Sequence, residues 1–514
     1  MIEEKPTLTP DRANPGFSEE TGGLATVVLD LGMNKETPTP VQPEASEVAK
    51  ISEVYAIPER PVSMALPAVV VIVTVIGGSL WANLSCLVTN RADFRFFPPF
   101  IAGVNRNQNE HLAAEYYSIA TAIVAGRGFS DPFREQTGPT AWMPPVLCWI
   151  LAALRWVADG DTEIVVALFV LLQDLALIFT GLMIVALSRR TLNSVWLATF
   201  LFVGALAYYF RLSFQFTHDC WIVLLTLNLT IAGMVWLRPF ESSRKRAAFW
   251  GVCGGLFALT SPIIGFTWAV LALATGLRQG RRSRFTIAVL MSMLTVSPWV
   301  IRNYMLFGRL IPVKSNLAFE LHQSQCLQAG GVLRGNIFGS HPYASDGEER
   351  WYYRKLGEME YLEGKWKLFA EAVQKDPMDF VERVANRFFA ATLEYVPFSP
   401  NEERYHPWIF TISQLVFPLP FLSLLLLLVM SPWRPLNSTQ WIVIGAYLSY
   451  LLPYIIISYY DRYKFPVMAA EVIMIVWAFE RITGLFRAAL GTPTVVVAAD
   501  EPEAAILVEE ADEA

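Results

Sequence analysis

The chain has 514 residues, of which 54% are hydrophobic and only 17% charged, with a mean hydropathy of +0.38 and a net charge of −6. Ordinary globular chains carry about 25% charged residues, so this chain has too few to cover a water-facing surface. Its apolar residues are gathered into long runs, such as 64–80 and 164–187. Collagen, disordered chains, disulfide scaffolds and soluble enzymes are excluded, and an all-α polytopic membrane protein is predicted.

The two ends of the chain are acidic. Residues 1–60 hold eleven acidic and five basic residues with seven prolines, and 500–513 hold seven acidic residues without Lys or Arg. Once these are set aside, 35 basic and 28 acidic residues remain. We expect 1–60 and 488–514 to be disordered cytoplasmic tails, with no signal peptide, around a membrane domain at 61–487. A mildly basic body suits membrane lipids or phosphate-bearing substrates, and no nucleic-acid-binding stripe is present.

Apolar runs predict about ten transmembrane helices. The run 249–277 is too long for one span and contains Thr260-Ser261-Pro262, which predicts two short helices joined by a turn. The run Pro144–Val157 contains Arg155 and is typical of an interfacial helix. The remaining runs lie at 62–88, 164–187, 194–210, 219–237, 284–304, 408–430, 439–458 and 465–481.

The basic residues predict the orientation of these spans. Eleven Lys and Arg residues lie in four short loops, whereas the opposite short loops hold only Arg211, Arg462 and Lys464. Because cytoplasmic loops carry the excess of basic residues, both tails are predicted to be cytoplasmic. The four basic loops lie at 189–190, 238–246, 278–284 and 434.

Two long segments are predicted to be external and structured. We call residues 89–163 the first segment and residues 305–407 the second segment. In the second, the pattern predicts helices over Glu349–Lys375 and Met378–Leu393, separated by Asp376-Pro377. Long structured loops on one face of a membrane bundle indicate chemistry at that face.

The first segment contains a helix and a series of short motifs. The pattern predicts a helix over Glu110–Ala125 that ends at Gly126. Gly126-Arg127-Gly128-Phe129 comes next, and Pro144-Pro145 opens the following helix. Ser297–Tyr304 closes a later span, and Tyr459–Pro466 opens the last one.

On these residues the chain resembles the GT-C class of membrane glycosyltransferases, which use polyprenyl-phosphate-linked sugars. The similarity is to the group of protein mannosyltransferases and lipid A aminoarabinose transferases. Their first external loop has an acidic residue shortly before a Tyr-x-x-x-Ala helix, then Gly-x-Gly-Phe/Tyr, then Pro-Pro. Here Glu115, Tyr116 to Ala120 and the two motifs above match this order, and the resemblance covers roughly 62–485.

This resemblance implies a GT-C-like fold and a hexosyl- or pentosyltransferase. It implies that a sugar moves, with inversion, from a polyprenyl-phosphate carrier to a lipid, glycan or protein acceptor. The reaction would take place at the external face of a bacterial cytoplasmic (inner) membrane. Neither the sugar nor the acceptor can be read from the motifs.

Two carboxylates compete for the catalytic role. Sugar transfer needs a base that takes the acceptor's proton, and Glu115 occupies the family's acidic position, where many relatives carry Asp. Glu110 lies five residues earlier and is the second candidate. On a helix His111 would lie beside Glu115, at i and i+4, and would orient it. The alternative is that Glu115 only solvates a juxtamembrane helix.

Three cations are candidates to bind the phosphate of the donor. Arg binds phosphate best, through two parallel hydrogen bonds. Arg462 and Lys464 lie at the external mouth of the last span, and Arg302 lies at the end of another. The alternative for each is snorkelling to the interface. An external position favours function for Arg462, because it runs against the positive-inside bias.

The remaining substrate and metal predictions are weaker. Tyr116 and Trp142 are predicted to stack on the sugar or the prenyl chain, although interfacial aromatic residues are expected in any membrane protein. Asp131 is a substrate contact or a turn residue, and His218-Asp219 lines the site or caps a helix. No cofactor is assigned. A divalent metal stays open, because some relatives use one and ligand types are available at Glu110, His111, Glu115 and Asp131 without a diagnostic spacing.

Two other functions are alternatives. A secondary transporter or flippase of lipid-linked or small polar substrates would show internal repeats and several intramembrane ions. The chain has no evident repeat, and only Asp174 lies deep in a span. A structural scaffold would leave the external Glu, Arg and Lys residues without a role, so the glycosyltransferase is favoured.

Overall fold

The computed structural model describes residues 64–84, 112–133, 136–188, 192–278, 280–344, 347–399 and 401–490. The described residues fall within one compact unit, 62–514. Within these ranges the chain is helical, and β-pairing is limited to two isolated bridges. Glu110, His111 and the predicted tail 1–60 lie outside the described residues, as does 491–514.

Eighteen α-helices are described. In chain order they are α1 (Ala65–Asn83), α2 (Glu115–Val124), α3 (Pro145–Val157), α4 (Thr162–Leu187), α5 (Leu192–Tyr208), α6 (Cys220–Ala232), α7 (Arg244–Thr260), α8 (Pro262–Arg278), α9 (Arg282–Phe307), α10 (Leu317–His322), α11 (Glu348–Leu356), α12 (Glu358–Lys375), α13 (Pro377–Thr392), α14 (Glu402–Tyr405), α15 (Pro407–Val416), α16 (Leu419–Val429), α17 (Ser438–Ile456) and α18 (Met468–Ala489). A π-helical turn, Gly233–Leu237, continues α6, and a 3₁₀ turn, Asp461–Val467, precedes α18.

Six of the described helical segments are long and apolar enough to cross a membrane. They are α1, α4, α6 with its π-helical continuation, α9, the α15–α16 pair and α17. The helices α3, α5 and α8 are apolar but shorter. Two further predicted spans carry charges, at Arg244–Arg246 in α7 and at Glu471, Glu480 and Arg481 in α18. The chain is therefore a helical membrane protein, and the count of ten spans stays a prediction.

Helix boundaries follow the capping chemistry of the sequence. Helices α7 and α8 are separated at Ser261, where the backbone is extended, so the predicted turn within 249–277 is present. Asp376 accepts hydrogen bonds from the N–H groups of residues 378 and 379 and begins α13, with Pro377 at its first position. Asn437 and Gln440 form a capping box at the start of α17.

Two predicted helices have different boundaries in the structure. The helix expected over Glu110–Ala125 is α2, which begins at Glu115, because Leu112, Ala113 and Ala114 have positive φ angles that no α-helix accommodates. The helix expected over Glu349–Lys375 is two helices, α11 and α12. They are separated at Gly357, which has a φ of +77°.

The first and second segments pack together through a buried aromatic cluster. Its core contains Phe133 and Trp142 from the first segment and Phe319, Tyr353 and Tyr361 from the second. The rings of Phe133 and Tyr353 meet edge to face with centres 4.8 Å apart, and those of Trp142 and Phe319 are tilted with centres 5.1 Å apart. This cluster fixes the second segment over the start of α2.

Candidate active site

Glu115 is the first residue of α2, and a strained turn places it there. The three preceding non-glycine residues have φ angles of 39°, 59° and 45°. The N–H of Ala113 donates to the carbonyl of Thr217 at 2.6 Å, which holds this turn against the chain just before α6. Residues 112–114 are not helical, and His111, which was predicted to lie at i−4 from Glu115 on one helix, lies outside the described residues.

A different histidine contacts Glu115. Nε2 of His341, in the second segment, lies 3.3 Å from Oε1 of Glu115, and both side chains are largely buried. Burial, followed by the charge of Arg462, lowers the pKa of His341 to about 4. The imidazole is therefore neutral near pH 7, and the 3.3 Å contact joins an uncharged ring nitrogen to a carboxyl oxygen.

Arg462, in the 3₁₀ turn before α18, is close enough to Glu115 and His341 for its charge to act on both. Its guanidinium lies 4.6 Å from the ring centre of Tyr460 and 5.6 Å from that of Tyr463. Burial opposes its charge, but Tyr460 and Asp219 act in the opposite direction, and the pKa of Arg462 stays well above its ordinary value. Its Nε atom is buried without a hydrogen-bond partner. This donor is available to an anion.

Asp219 connects Glu115 to Arg462 through their neighbours. The hydroxyl of Tyr116 donates to Oδ2 of Asp219 at 3.4 Å, and Sγ of Cys220 donates to the carbonyl of Arg462 at 4.0 Å. Asp219 also interacts electrostatically with both Glu115 and Arg462. Its side chain does not cap α6; the first N–H of that helix, from Cys220, is instead accepted by Nδ1 of His218.

The environment of Glu115 prepares its carboxyl group for proton exchange. Burial raises its pKa from 4.5 to about 7. Its own backbone N–H and the positive charge of Arg462 lower the pKa, while the negative charges of Asp219 and Glu320 raise it further. A carboxyl group with a pKa near 7 exchanges protons readily at neutral pH, as a general base must.

One cluster of potential metal ligands lies at this site. The ligand atoms of His218, Asp219 and Cys220 lie within 4.8 Å of one another, and no other such group is found among the described residues. Nδ1 of His218 accepts a hydrogen bond from the N–H of Cys220 at 3.0 Å, which leaves Nε2 free. Arg462 places a positive charge beside all three residues, and that charge disfavours a cation here.

The other two predicted phosphate ligands are already engaged. Nζ of Lys464 donates to the carbonyl of Phe417 at 2.8 Å and lies 3.5 Å from Oε1 of Glu471. The guanidinium of Arg302 donates to the carbonyls of Phe129 and Thr140 at 2.8 and 2.7 Å. Lys464 and Arg302 therefore already serve as hydrogen-bond donors within the protein.

Two of the predicted substrate contacts, Asp131 and Trp142, interact with other parts of the protein. Asp131 accepts hydrogen bonds from Arg127 Nε and from the N–H groups of Thr137 and Gly138, at 2.8, 2.8 and 3.0 Å. Burial opposes these bonds, but together they lower the pKa of Asp131 below its usual range. These bonds are those of a turn residue, the alternative that the sequence had left open for Asp131. Trp142 is fully buried in the aromatic cluster, so it presents no ring face to a ligand in this conformation.

An apolar groove of 390 Å³ lies on α9 near the second segment. It is lined by Ala258, Ser292, Met293, Val296, Ser297, Val300, Ile301, Pro312 and Val313. Helix α9 is the least buried of the candidate spans. The groove is therefore an apolar depression on a helix that other parts of the protein cover little.

The sequence motifs did not indicate His341 or Glu320 as site residues. His341 lies in a stretch without periodicity, and Glu320 lies in the short helix α10. His341 packs against the aromatic cluster and lies beside Glu115, and Glu320, next to Phe319 of that cluster, acts on Glu115 through its charge. Among protein-family models, curated proteins and solved structures, none matches this chain.

Proposed function

We propose that this protein is a membrane glycosyltransferase that moves a sugar from a polyprenyl-phosphate carrier to an acceptor at the external face of the membrane. The observation that carries the proposal is that Glu115 and Arg462 are both buried and close enough for the charge of Arg462 to act on the Glu115 carboxyl group. They come from the start of α2 and from the turn before α18, far apart in the chain. The GT-C-like motifs support it, because they assign an acid to the position of Glu115, and the predicted external position of Arg462 favours a functional role for that cation.

In this reaction Glu115 takes the proton from a hydroxyl or amino group of the acceptor. The acceptor atom then attacks C1 of the sugar, and the bond from C1 to the phosphate oxygen breaks. The lipid phosphate leaves with both bonding electrons, and the guanidinium of Arg462 balances its charge. A single displacement of this kind inverts the configuration at C1.

The membrane arrangement that suits this reaction has about ten spans. Both tails are then cytoplasmic, the two segments are external, and the enzyme lies in a bacterial inner membrane. The apolar groove on α9 supports a lipid-linked donor, because such a donor must keep its chain in apolar surroundings. No resident cofactor is part of the proposal.

The test is a transfer assay with the purified protein and polyprenyl-phosphate sugars as donors. The acceptor is first found by mass spectrometry of envelope glycans and lipids from cells with and without the protein. We expect Glu115→Gln to lower turnover by about 10²–10⁴-fold, because the amide keeps the shape but cannot accept the proton. Glu115→Asp should keep partial activity, since relatives carry Asp at the equivalent position.

Two matched variants serve as controls. Glu363 is an exposed residue of α12 that pairs with Arg309, so Glu363→Gln should leave transfer unchanged. Glu110→Gln tests the competing carboxylate. An inactive Glu110→Gln beside an active Glu115→Gln would move the catalytic role to Glu110. Full activity in both would eliminate this carboxylate mechanism, and uptake of a labelled substrate without transfer would favour the transporter.

A further inference from the structure

We propose that His341 is a positioning residue that holds the Glu115 carboxylate in the orientation needed for proton abstraction. This inference rests on the proposed function and assigns to the second segment a part in the site. The motifs of the first segment had indicated His111 for this role. The structure points instead to a histidine more than two hundred residues further along the chain.

The hydrogen bonds of His341 determine which of its nitrogens carries the proton. Nδ1 accepts a hydrogen bond from the N–H of Tyr343 at 3.1 Å, so Nδ1 is unprotonated. A neutral imidazole with a bare Nδ1 carries its hydrogen on Nε2. Nε2 lies 3.3 Å from Oε1 of Glu115, so its N–H is within donor distance of the carboxylate.

The imidazole ring is fixed by aromatic neighbours from both segments. Its centre lies 5.2 Å from that of Phe319, 6.0 Å from that of Phe133 and 6.4 Å from those of Trp142 and Phe338. The four interplanar angles lie between 73° and 85°, so each contact is edge to face. A ring held in this way cannot turn its Nε2 away from Glu115 without disturbing the cluster.

This contact stabilises the form of Glu115 that accepts protons. An N–H donor favours the carboxylate over the neutral acid, so loss of the donor should raise the pKa of Glu115. The other charged groups acting on Glu115 are Arg462, Asp219 and Glu320, and they do not change in such a variant. Nearby, burial raises the pKa of the Tyr116 phenol well above its usual value, so it stays neutral.

Two substitutions of His341 separate positioning from a structural role. In His341→Gln the amide nitrogen lies near the former Nε2, so the donor to Glu115 remains while the acceptor for Tyr343 is lost. In His341→Asn the polar group lies near the former Nδ1, so the acceptor for Tyr343 remains and the donor to Glu115 is lost. The exposed His406, changed in the same two ways, is the matched control.

We expect His341→Asn to lower turnover by about 10–100-fold, because a misplaced base loses alignment with the acceptor. The rising limb of its pH profile should move by about one unit to higher pH, the effect of losing a hydrogen bond to a charged group. His341→Gln should keep most of the turnover and the original limb. The reverse pattern, with His341→Asn normal and His341→Gln impaired, would show that His341 only anchors its own loop and would overturn the proposal.

An infrared titration makes the result independent of the donor assay. The carboxyl band of Glu115, isolated by subtraction of Glu115→Gln, should titrate at higher pH in His341→Asn than in the wild type and in His341→Gln. An unchanged titration would overturn the inference even in an active enzyme. A wild-type protein that transfers no sugar would defeat the proposed function, and the titration would still decide whether His341 holds Glu115.

Discussion

Glu115 is a buried acid whose pKa lies close to physiological pH, and this predicts the pH dependence of the reaction. Burial raises its pKa to about 7, and a general base acts only in its deprotonated form. Turnover should therefore rise with pH through about 7 and level off above it. This rising part of the pH profile is measured as kcat with saturating donor and acceptor. A profile that is flat between pH 6 and pH 8, on the order of one unit either side of the expected pKa, would contradict the assignment.

Arg462 should bind the phosphate of the donor through its planar guanidinium. Because the guanidinium is stacked on Tyr460 and has a free Nε donor, both Arg462→Lys and Arg462→Ala should lose most donor affinity. We expect kcat/KM for the donor to fall by about 10–100-fold in each, a loss of one or two strong hydrogen bonds. Arg462 also lowers the pKa of Glu115, so the assay is run at a pH above the Glu115 titration.

The matched control for Arg462 is Arg309→Lys. Arg309 is exposed and pairs with Glu363 on the protein surface, so its substitution should leave donor use unchanged. A normal Arg462→Lys beside an impaired Arg462→Ala would mean that a point charge suffices. Normal donor use in both Arg462 variants would mean that Arg462 only extends to the membrane interface and does not bind the donor.

The sequence predicted individual site residues unevenly. Glu115 and Arg462 could be singled out because an acid in a motif and an external arginine stand out against an apolar chain. The contact of Glu115 with His341 could not be predicted. The helix predicted before Glu115 was wrong because the left-handed turn at Leu112–Ala114 contains no glycine that would signal it. The contact between Glu115 and His341 depends on the packing of two distant segments, and no local pattern encodes such packing.

At the scale of elements, Glu358 joins the two segments. Its carboxylate accepts hydrogen bonds from the hydroxyls of Thr140, Ser315 and Tyr353 and from the N–H of Ala141. The Ser315 and Tyr353 bonds measure 2.7 and 2.6 Å. Glu358 is 5% exposed, so its carboxylate has little access to water. This carboxylate thus holds α12 against the residues that precede α3.

Removal of Glu358 should loosen this junction. In Glu358→Ala the N–H of Ala141 is left buried without a partner, and we expect a loss of about 3 kcal/mol in the free energy of unfolding. Glu358→Gln should cost less, because the amide oxygen can still accept from Ala141 and the hydroxyls can turn. Thermal unfolding in detergent measures both, with the exposed Glu360→Ala of the same helix as control. Equal stability of all three variants would contradict the role of Glu358.

Helices were predictable where a strong local signal marks their ends. The breaks at Ser261-Pro262 and Asp376-Pro377 follow directly from proline and from the capping carboxylate. The break at Gly357 was missed, although a glycine within a helical pattern is itself a signal of a possible end. Span length alone cannot decide whether α7 and α18 cross the membrane, because both are apolar helices that carry charges.

At the scale of the whole molecule, the proposed reaction requires a particular arrangement in the membrane. Arg462 and Glu115 act at one site, so the turn before α18 and the start of α2 must lie on the same side of the membrane. The basic loops near 238–246 and 278–284 must lie on the other side, if the positive-inside rule applies. Helices α7 and α8 meet at Ser261, and this places both of those loops at one end of a helical hairpin.

Cysteine labelling from outside the cell tests this arrangement. The five natural cysteines are first replaced, and single cysteines are introduced at Glu110, Glu135, Ser345 and Asp461. A membrane-impermeant reagent should label these four sites in intact cells. It should label cysteines at Ser243, Arg281 and Arg434 only after the membrane is opened. Labelling of position 281 from outside would show that α7 and α8 do not form a hairpin across the membrane, and the two segments would then not share one face.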